Sequence, residues 1–592
     1  MPEMKGAEII VEHLVRERVP YVFGLCGHGI LGFLDAVYDR RDELRVVSVH
    51  HESIAALMAD AWYRVRQEPV ATFTSCGPGS ANLPVGLASA YMDSSAFLAI
   101  TGNVPTSQWN RGPFQETGRH FQGDFVNVVR PYVKRSFQPT RPDMLALALR
   151  QAFGLLRSGR PGPVHIDVPL NVFVETADVP AEAAAAGPAP RVARPAGDPA
   201  AVRRAAELLA AAERPVIVAG HGVELARAEA ELARLAELAA IPVATSPLGK
   251  GVFDASSPLS LGATGRNGTY AANAACRNAD VILAVGTRFD DRATSAWLPG
   301  FTYRIPPTRL IHVDIDPAEI GRNFPAEVGI TGDARLVLEQ LLPSGGRGPA
   351  ERQPWLARIA TWRERWEEEM AGPRGSDAVP IQPARLVAEL RRAVPAHGIV
   401  LADVGVHHNW LVCDYPALSS RSLLQSWGFA SMGFGVAGAL GAKLAAPDRP
   451  VVAVCGDGGF LMLPSVVATA VEYDIPVVWV VWNNFGYVSI RDQQLGYFGA
   501  GRELATSFED SRGELLSVDF AALARSMGAH GARVEQPCHL ADQLRAAIES
   551  GRPTVLDVRV DREARPPATG SWDLPPLPHP MPNFGWGEDG LA

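Results

Sequence analysis

Two short segments in the C-terminal third of the chain carry residue types suited to holding a cation beside a phosphate. PVVAVCGDGG is an apolar, β-branched run ending in a glycine-flanked aspartate, Asp457. IPVVWVVWNN is a similar run ending in Asn483 and Asn484, with Gly486 just beyond. Such runs bounded by glycine read as buried strands, with the intervening stretch as a helix. In an open α/β sheet, ligands lie beyond the carboxyl ends of the strands. One carboxylate, one side-chain amide and a nearby backbone carbonyl delivered to that edge form a hard oxygen set. With two phosphate oxygens and water it completes an octahedral Mg2+. Backbone N–H groups where strand turns into helix suit the phosphate itself. A lone GDG also fits an ordinary Asx turn. The pairing with NN on the next strand makes the metal-bridged diphosphate reading specific.

These segments need a scaffold. At 592 residues the chain is too long for one core, and about 150 residues per domain implies roughly three or four. A composition of 47% hydrophobic and 20% charged residues is ordinary for a soluble globular enzyme. The net charge of −9 is spread without a basic stripe, which argues against a nucleic-acid partner. Six cysteines lack CxxC spacing and a disulfide framework, which fits a reducing cytoplasm. The N-terminus enters an amphipathic helix and then a strand, unlike a signal peptide. The apolar runs break well before membrane-spanning length, so no membrane partner is expected.

Short apolar strands (YVFGL, RVVSV, VATFT, FLAITG, PVHIDVP) alternate with helical stretches over residues 1–175, predicting a doubly wound parallel α/β domain. An Ala/Pro-rich stretch, NVFVETADVPAEAAAAGPAPRVARPAGDPA, reads as a linker. A second α/β block covers residues 195–342, with strands RPVIVAG, IPVATS, VILAVG and RLIHVDID. The charged helix PWLARIATWRERWEEEM then leads to a third block over 380–560, and a Pro- and aromatic-rich tail fills 561–592. The expectation is α/β throughout: three doubly wound parallel-sheet domains and an irregular tail.

With these segments in order, the chain resembles the thiamin-diphosphate-dependent enzymes, most closely the acetohydroxyacid (acetolactate) synthase group. The resemblance is carried by GDG…NN, HHESIAALMADAWYR, GPGSANLPVGLASAYMDS, TGNVPT, FQET, GRPGPVHIDVP, DVGVHHNW and ASMGFGVAGALGA, and it covers nearly the whole chain. It implies pyrimidine-binding, central and diphosphate-binding domains in that order. It implies thiamin diphosphate and Mg2+ as cofactors, with Asp457, Asn484 and the main chain of Gly486 as metal ligands. Glu52 would hydrogen-bond the pyrimidine N1′ and favour the imino tautomer that activates the cofactor. Its apolar neighbours make a raised pKa plausible. Met432 would wedge the two rings together, with Ala430 offering backbone to the aminopyrimidine. Gly405, His407, Gly458 and Gly459 would hold the diphosphate, although Val406 stands where the family has a polar residue.

The resemblance also implies an active site between subunits, hence a homodimer or homotetramer. GTRFDDR and HVDIDPAEIGRN resemble the segments that hold a structural FAD, giving Arg288, Asp290, Arg292 and Asp314 as its candidates. His221 in GHG replaces a family glycine, and many relatives keep this domain without flavin. Phe114 and Gln115 match residues beside the reacting carbons. FGYVSIRDQQLGYF departs from the synthase pattern, and His28 in LCGHG resembles relatives that hydrolyse cyclic 1,2-diones. A histidine there suits general acid/base work, or simply a loop hydrogen bond. His51 and His120 are further candidates. Trp572, Phe584 and Trp586 in the tail suit a lid or subunit packing. Three readings stay open: a carboligase that decarboxylates a 2-oxo acid, a C–C hydrolase or lyase acting on a dione, and a non-catalytic cofactor-binding relative.

Overall fold

The structure, a computed structural model, describes residues 3–115, 124–178, 192–342, 349–567 and 569–570. The chain opens with the short strand β1 (Glu3–Lys5). Strands β2 (Tyr21–Gly24), β3 (Arg45–Ser48), β4 (Ala71–Thr74), β5 (Leu98–Asn103), β6 (Ser136–Phe137) and β7 (Val164–Pro169) build a parallel sheet in the order β3-β2-β4-β5-β7-β6. The strand β8 (Thr176–Asp178) returns to pair antiparallel with β1. With the helix Leu170–Val174 it extends the first domain into the stretch read from sequence as linker. The remainder of that stretch up to residue 191 lies outside the described residues.

Strands β9 (Pro215–Ala219), β10 (Val243–Thr245), β11 (Ser260–Ala263), β12 (Val281–Val285), β13 (Arg309–Asp314) and β14 (Val328–Thr331) form a second parallel sheet, ordered β11-β10-β9-β12-β13-β14. The third contains β15 (Ile399–Ala402), β16 (Leu423–Gln425), β17 (Val451–Gly456), β18 (Val478–Asn483), β19 (His530–Val534) and β20 (Thr554–Arg559), ordered β16-β15-β17-β18-β20-β19. The first and third sheets therefore share one order, strand for strand. In them the order reverses between β2 and β4 and between β15 and β17. In the central sheet it reverses between β9 and β12. Each reversal opens a crevice at the carboxyl ends of the strands, where ligands bind in such folds.

The third sheet is buried on both faces, and its side chains divide with the two-residue period of a strand. Val400, Ala402, Val452, Val454, Val478, Val480 and Trp482 join an apolar cluster with the central domain. Ile399, Leu401, Val451, Ala453, Trp479 and Val481 join another with the first domain. The long helix Pro349–Arg374 adds Trp355, Ile359, Trp362, Trp366 and Met370 to the former, a stripe at helical spacing along the charged segment. On the other face, the helix Glu52–Arg66 crosses the helix Phe434–Ala445 closely. A Cβ on Gly441 would lie 2.0 Å from the Met58 carbonyl oxygen.

Among the described residues, no helix is long and apolar enough to cross a membrane. Thr569 is buried and donates to the Gly268 carbonyl at 2.6 Å. Trp572, Phe584 and Trp586 lie outside the described residues, as does His120.

Candidate active site

The crevice between β15 and β17 assembles the first group of sequence-predicted residues. Asp457 begins the helix Asp457–Met462 directly after β17 and is almost wholly buried. Its carboxylate accepts from the backbone of Gly458 at 2.8 Å, Gly486 at 3.1 Å and Asn484 at 3.2 Å. Burial pushes its pKa up to about 6, against the pull of these amides. The two asparagines divide their work. The Asn483 side chain donates to Asp557 at 2.7 Å and to Ser517 at 2.8 Å, so it ties strands together. The side-chain amide of Asn484, next to Asp457 and nearly buried, makes no hydrogen bond among the described residues, although its backbone N–H donates to Asp457. Gly486 sits at φ +146°, where a Cβ would meet the Thr506 carbonyl oxygen at 2.2 Å, so glycine is required for this turn.

His407 lies in the helix Val406–Asp414, which Gly405 caps after β15. Its ring fills the gap between the two strand ends. Cβ atoms built on Gly405 and Gly456 would lie 2.6 and 3.1 Å from it. The ring is buried, and its Nε2 has no partner among the described residues. Desolvation lowers its pKa to about 3, so it is a neutral imidazole, and its one N–H is drawn to the backbone of Asp403. An unpartnered buried nitrogen, an uncommitted amide and a buried carboxylate converge here. Among the described residues no three His, Cys, Asp or Glu side chains group to hold a metal. A metal at this crevice therefore relies on Asp457, Asn484, backbone oxygen and phosphate, which is a hard set that fits Mg2+. Gly458 and Gly459 follow Asp457 but are closely covered. Cβ atoms there would lie 2.4 Å from the Tyr487 ring and 2.4 Å from the Asp403 carboxylate.

The crevice between β2 and β4 gathers the second group. Glu52 begins the helix Glu52–Arg66 and is buried, and its Oε2 accepts from Asn82 at 2.9 Å. Its Oε1 faces Gly79, where a Cβ would come within 3.3 Å. Gly77, at φ +59°, packs so closely on Gln115 that a Cβ would meet the Gln115 carbonyl oxygen at 2.1 Å. His28 opens a short 3-10 turn after β2 and is exposed, with its Nε2 3.7 Å from the Cys76 sulfur and its ring 5.8 Å from that of Phe114. The fold thus brings His28, Glu52, Phe114 and Gln115 to one crevice, although they are far apart in sequence. His51 instead caps the helix through Ser53. Neither Glu52 nor Asp457 hydrogen-bonds to the other's domain.

Ala430 and Met432 stand half-buried on the loop of residues 426–433, with Ala430 at φ +54°. Asp403 pins the end of this loop by accepting from Gly433 and Gly435, each at 3.1 Å. Asn82 and Asp403 went unnoticed in the sequence, though both lie within or beside the quoted motifs.

The third crevice, between β9 and β12, opens into a cavity of about 620 Å³. Arg288, Asp290 and Asp314 line it together with His221. Arg292 does not; its guanidinium lies 4.6 Å over the Trp427 ring and donates to Asn409. Burial raises the pKa of Asp290 and pushes that of Asp314 up to about 6. His221 is buried, with its Nδ1 3.4 Å from the Glu224 carboxylate and its Nε2 without a hydrogen bond among the described residues, and desolvation lowers its pKa to about 3. This domain has the strand order in which dinucleotides bind at the reversal.

The chain matches known proteins along nearly its whole length. Residues 4–123 match the family described as thiamine pyrophosphate enzyme, N-terminal TPP binding domain. Residues 202–341 match its central domain and residues 403–558 its C-terminal TPP binding domain. The chain is 38% identical over 571 residues to a probable acetolactate synthase large subunit of Methanocaldococcus jannaschii, covering 94% of this chain and 92% of that protein. It is 36% identical to the acetolactate synthase large subunit of Parasynechococcus marenigrum, covering 94% and 88%. Identity is 34% to the acetolactate synthase isozyme 3 large subunit of Escherichia coli, covering 95% and 96%.

Proposed function

The chain belongs to the thiamine pyrophosphate enzyme family, and from that premise we propose that it is an acetolactate synthase-like carboligase, dependent on thiamin diphosphate and Mg2+, that decarboxylates a 2-oxo acid and transfers the acyl carbanion to a second carbonyl. The observation that carries this is full-length similarity to acetolactate synthases together with intact Glu52, Asp457 and Asn484 crevices. A non-catalytic relative has no need of all three.

When bound, thiamin diphosphate supplies the carbon that adds to the 2-oxo group and holds the electron pair left as CO2 departs. The chain's residues do the rest. Asp457, Asn484 and the Gly486 backbone would hold Mg2+, and the strand-end backbone at Gly405 would receive the diphosphate, with the His407 ring closing the space between the two strand ends. Glu52, aligned by Asn82, exchanges a proton with the pyrimidine N1′, and the apolar wall behind it keeps water away. Met432 would pack against the rings of the bound cofactor. Phe114 and Gln115 border the space left for substrate. Since Glu52 and Asp457 lie on separate sheets with no hydrogen bond linking them, completion of the site by a second copy is part of this proposal, as a homodimer or homotetramer. Phe114, 78% exposed at the mouth of one crevice, is the kind of apolar side chain such an interface covers. The cavity of the central domain is proposed to take FAD, with Arg288, Asp290, Asp314 and His221 in its wall.

The test is protein reconstituted with thiamin diphosphate and Mg2+, offered pyruvate and, separately, cyclohexane-1,2-dione. A visible spectrum recorded beforehand reports flavin. CO2 with acetolactate is the expected result; ring-opened acid without CO2 overturns it. That second outcome has one observation in its favour, namely His28 in the Glu52 crevice beside Phe114. For the carboligase, His28→Ala lowers kcat less than about ten-fold. A general acid/base role would cost about 10²–10⁴-fold. Steady-state kinetics of that variant separates the two.

A further inference from the structure

We propose that Asp93 is a positioning residue for the proposed reaction: from the first domain it fixes the start of the loop that carries Ala430 and Met432, and so sets the shape of the thiamin diphosphate site in the third domain. The inference rests on the family reading above and adds a residue outside both crevices.

Asp93 follows the helix Pro84–Met92 and is fully buried. Its two oxygens leave the domain in which they arise. Oδ1 accepts from the backbone of Gly428 at 2.7 Å and Oδ2 from that of Trp427 at 2.9 Å. Arg64 donates to Oδ2 at 3.1 Å, and Arg288, on the wall of the central cavity, reaches within 4.0 Å of Oδ1. Burial alone would raise the pKa of this carboxyl. Arg64, Arg288 and the two amides outweigh it and hold it below the usual carboxylate range. A charged acceptor with two backbone donors is stronger and more directional than a neutral one.

The loop is therefore clamped at both ends by buried carboxylates. Asp93 holds residues 427 and 428, and Asp403 holds Gly433 and Gly435. Ser426 adds an inner brace, accepting from the Ser431 backbone at 3.3 Å and pairing with Ser89 of the first domain at 3.2 Å. Between the clamps Ala430 keeps a left-handed backbone at φ +54°, which a residue with a Cβ adopts only where its surroundings impose it. Releasing either clamp lets that residue relax and carries Met432 with it.

Asp60 provides the control. It is equally buried and pairs with the same Arg64, at 2.7 and 3.0 Å, and accepts from Ser89, but makes no bond to the loop backbone. Asp93→Asn and Asp60→Asn both strip charge from Arg64, and only the former loosens residues 427 and 428. The experiment is a fluorescence titration of thiamin diphosphate at saturating Mg2+ with both variants, alongside their thermal unfolding. The expected result is similar loss of thermal midpoint, a dissociation constant raised about ten-fold or more in Asp93→Asn, and a change within about two-fold in Asp60→Asn. Equal effects on binding overturn the inference alone. Wild-type protein that binds no thiamin diphosphate overturns the family reading and the inference with it. Should Asp93→Asn fail to fold, hydrogen exchange on the cofactor-free wild type decides. Slow exchange at residues 427 and 428 is expected, and complete exchange within seconds overturns the clamp.

Discussion

Glu52→Gln lowers kcat by about 10²–10⁴-fold, the range for loss of a positioned acid or base, while the thermal unfolding midpoint stays within a few degrees of wild type. The substitution keeps the size of the side chain and an oxygen for Asn82 to donate to, the one side-chain hydrogen bond Glu52 makes among the described residues. What disappears is the exchangeable carboxyl proton. The effect should therefore fall on kcat and on proton exchange at the reactive carbon of the bound cofactor, with cofactor affinity changed little. Activity within a few-fold of wild type would sink the assignment of Glu52. A loss confined to cofactor affinity would make it a binding residue only.

Asp457→Asn tests the other crevice and should produce the opposite pattern. The amide oxygen can keep the bonds from the Asn484 and Gly486 backbones, both made to Oδ2, at the expense of the one from Gly458 to Oδ1, so the NNFGY turn is largely retained. It removes the one charged oxygen donor in the proposed metal set. Mg2+ and thiamin diphosphate affinity should fall together, by at least the roughly 10–100-fold that loss of an outer-shell partner already costs a metal site. Calorimetric titration of the pair, each in the presence and absence of the other, measures this directly. Thiamin diphosphate affinity that survives the change, or that falls without any loss of Mg2+ dependence, means the metal is held elsewhere.

Much of the fold was legible in the sequence because the strands at the middle of each sheet are buried on both faces and so read as uninterrupted apolar runs. Those missed from the sequence are β6, β11, β14, β16 and β19, at the edges of the six-stranded sheets, and the separate pair β1 and β8. Edge strands are short or half-exposed; β14 alternates buried and exposed, and β19 buries only Val534. Their VGIT and HGARV give no apolar run to detect. The site was legible wherever chemistry sits at a strand end, as at Asp457, Asn484 and Gly405. It was illegible where a residue works by touching another segment. Asp93, Asn82 and Asp403 are ordinary polar residues until the fold sets Asp93 against Trp427, Asn82 against Glu52 and Asp403 against Gly433. Arg292 shows the converse. Its motif suggested a place with Arg288, yet one turn of chain carries it over Trp427 instead.

The third sheet lends one face to an apolar core shared with the central domain and the other to a core shared with the first. No face remains for it to seal alone. The domains are thus units of topology, and the packing unit is larger. A diphosphate domain transplanted by recombination into another chain would bring two unmatched apolar surfaces with it, each a liability for aggregation. Changes to the loops at the strand ends, by contrast, leave both cores undisturbed.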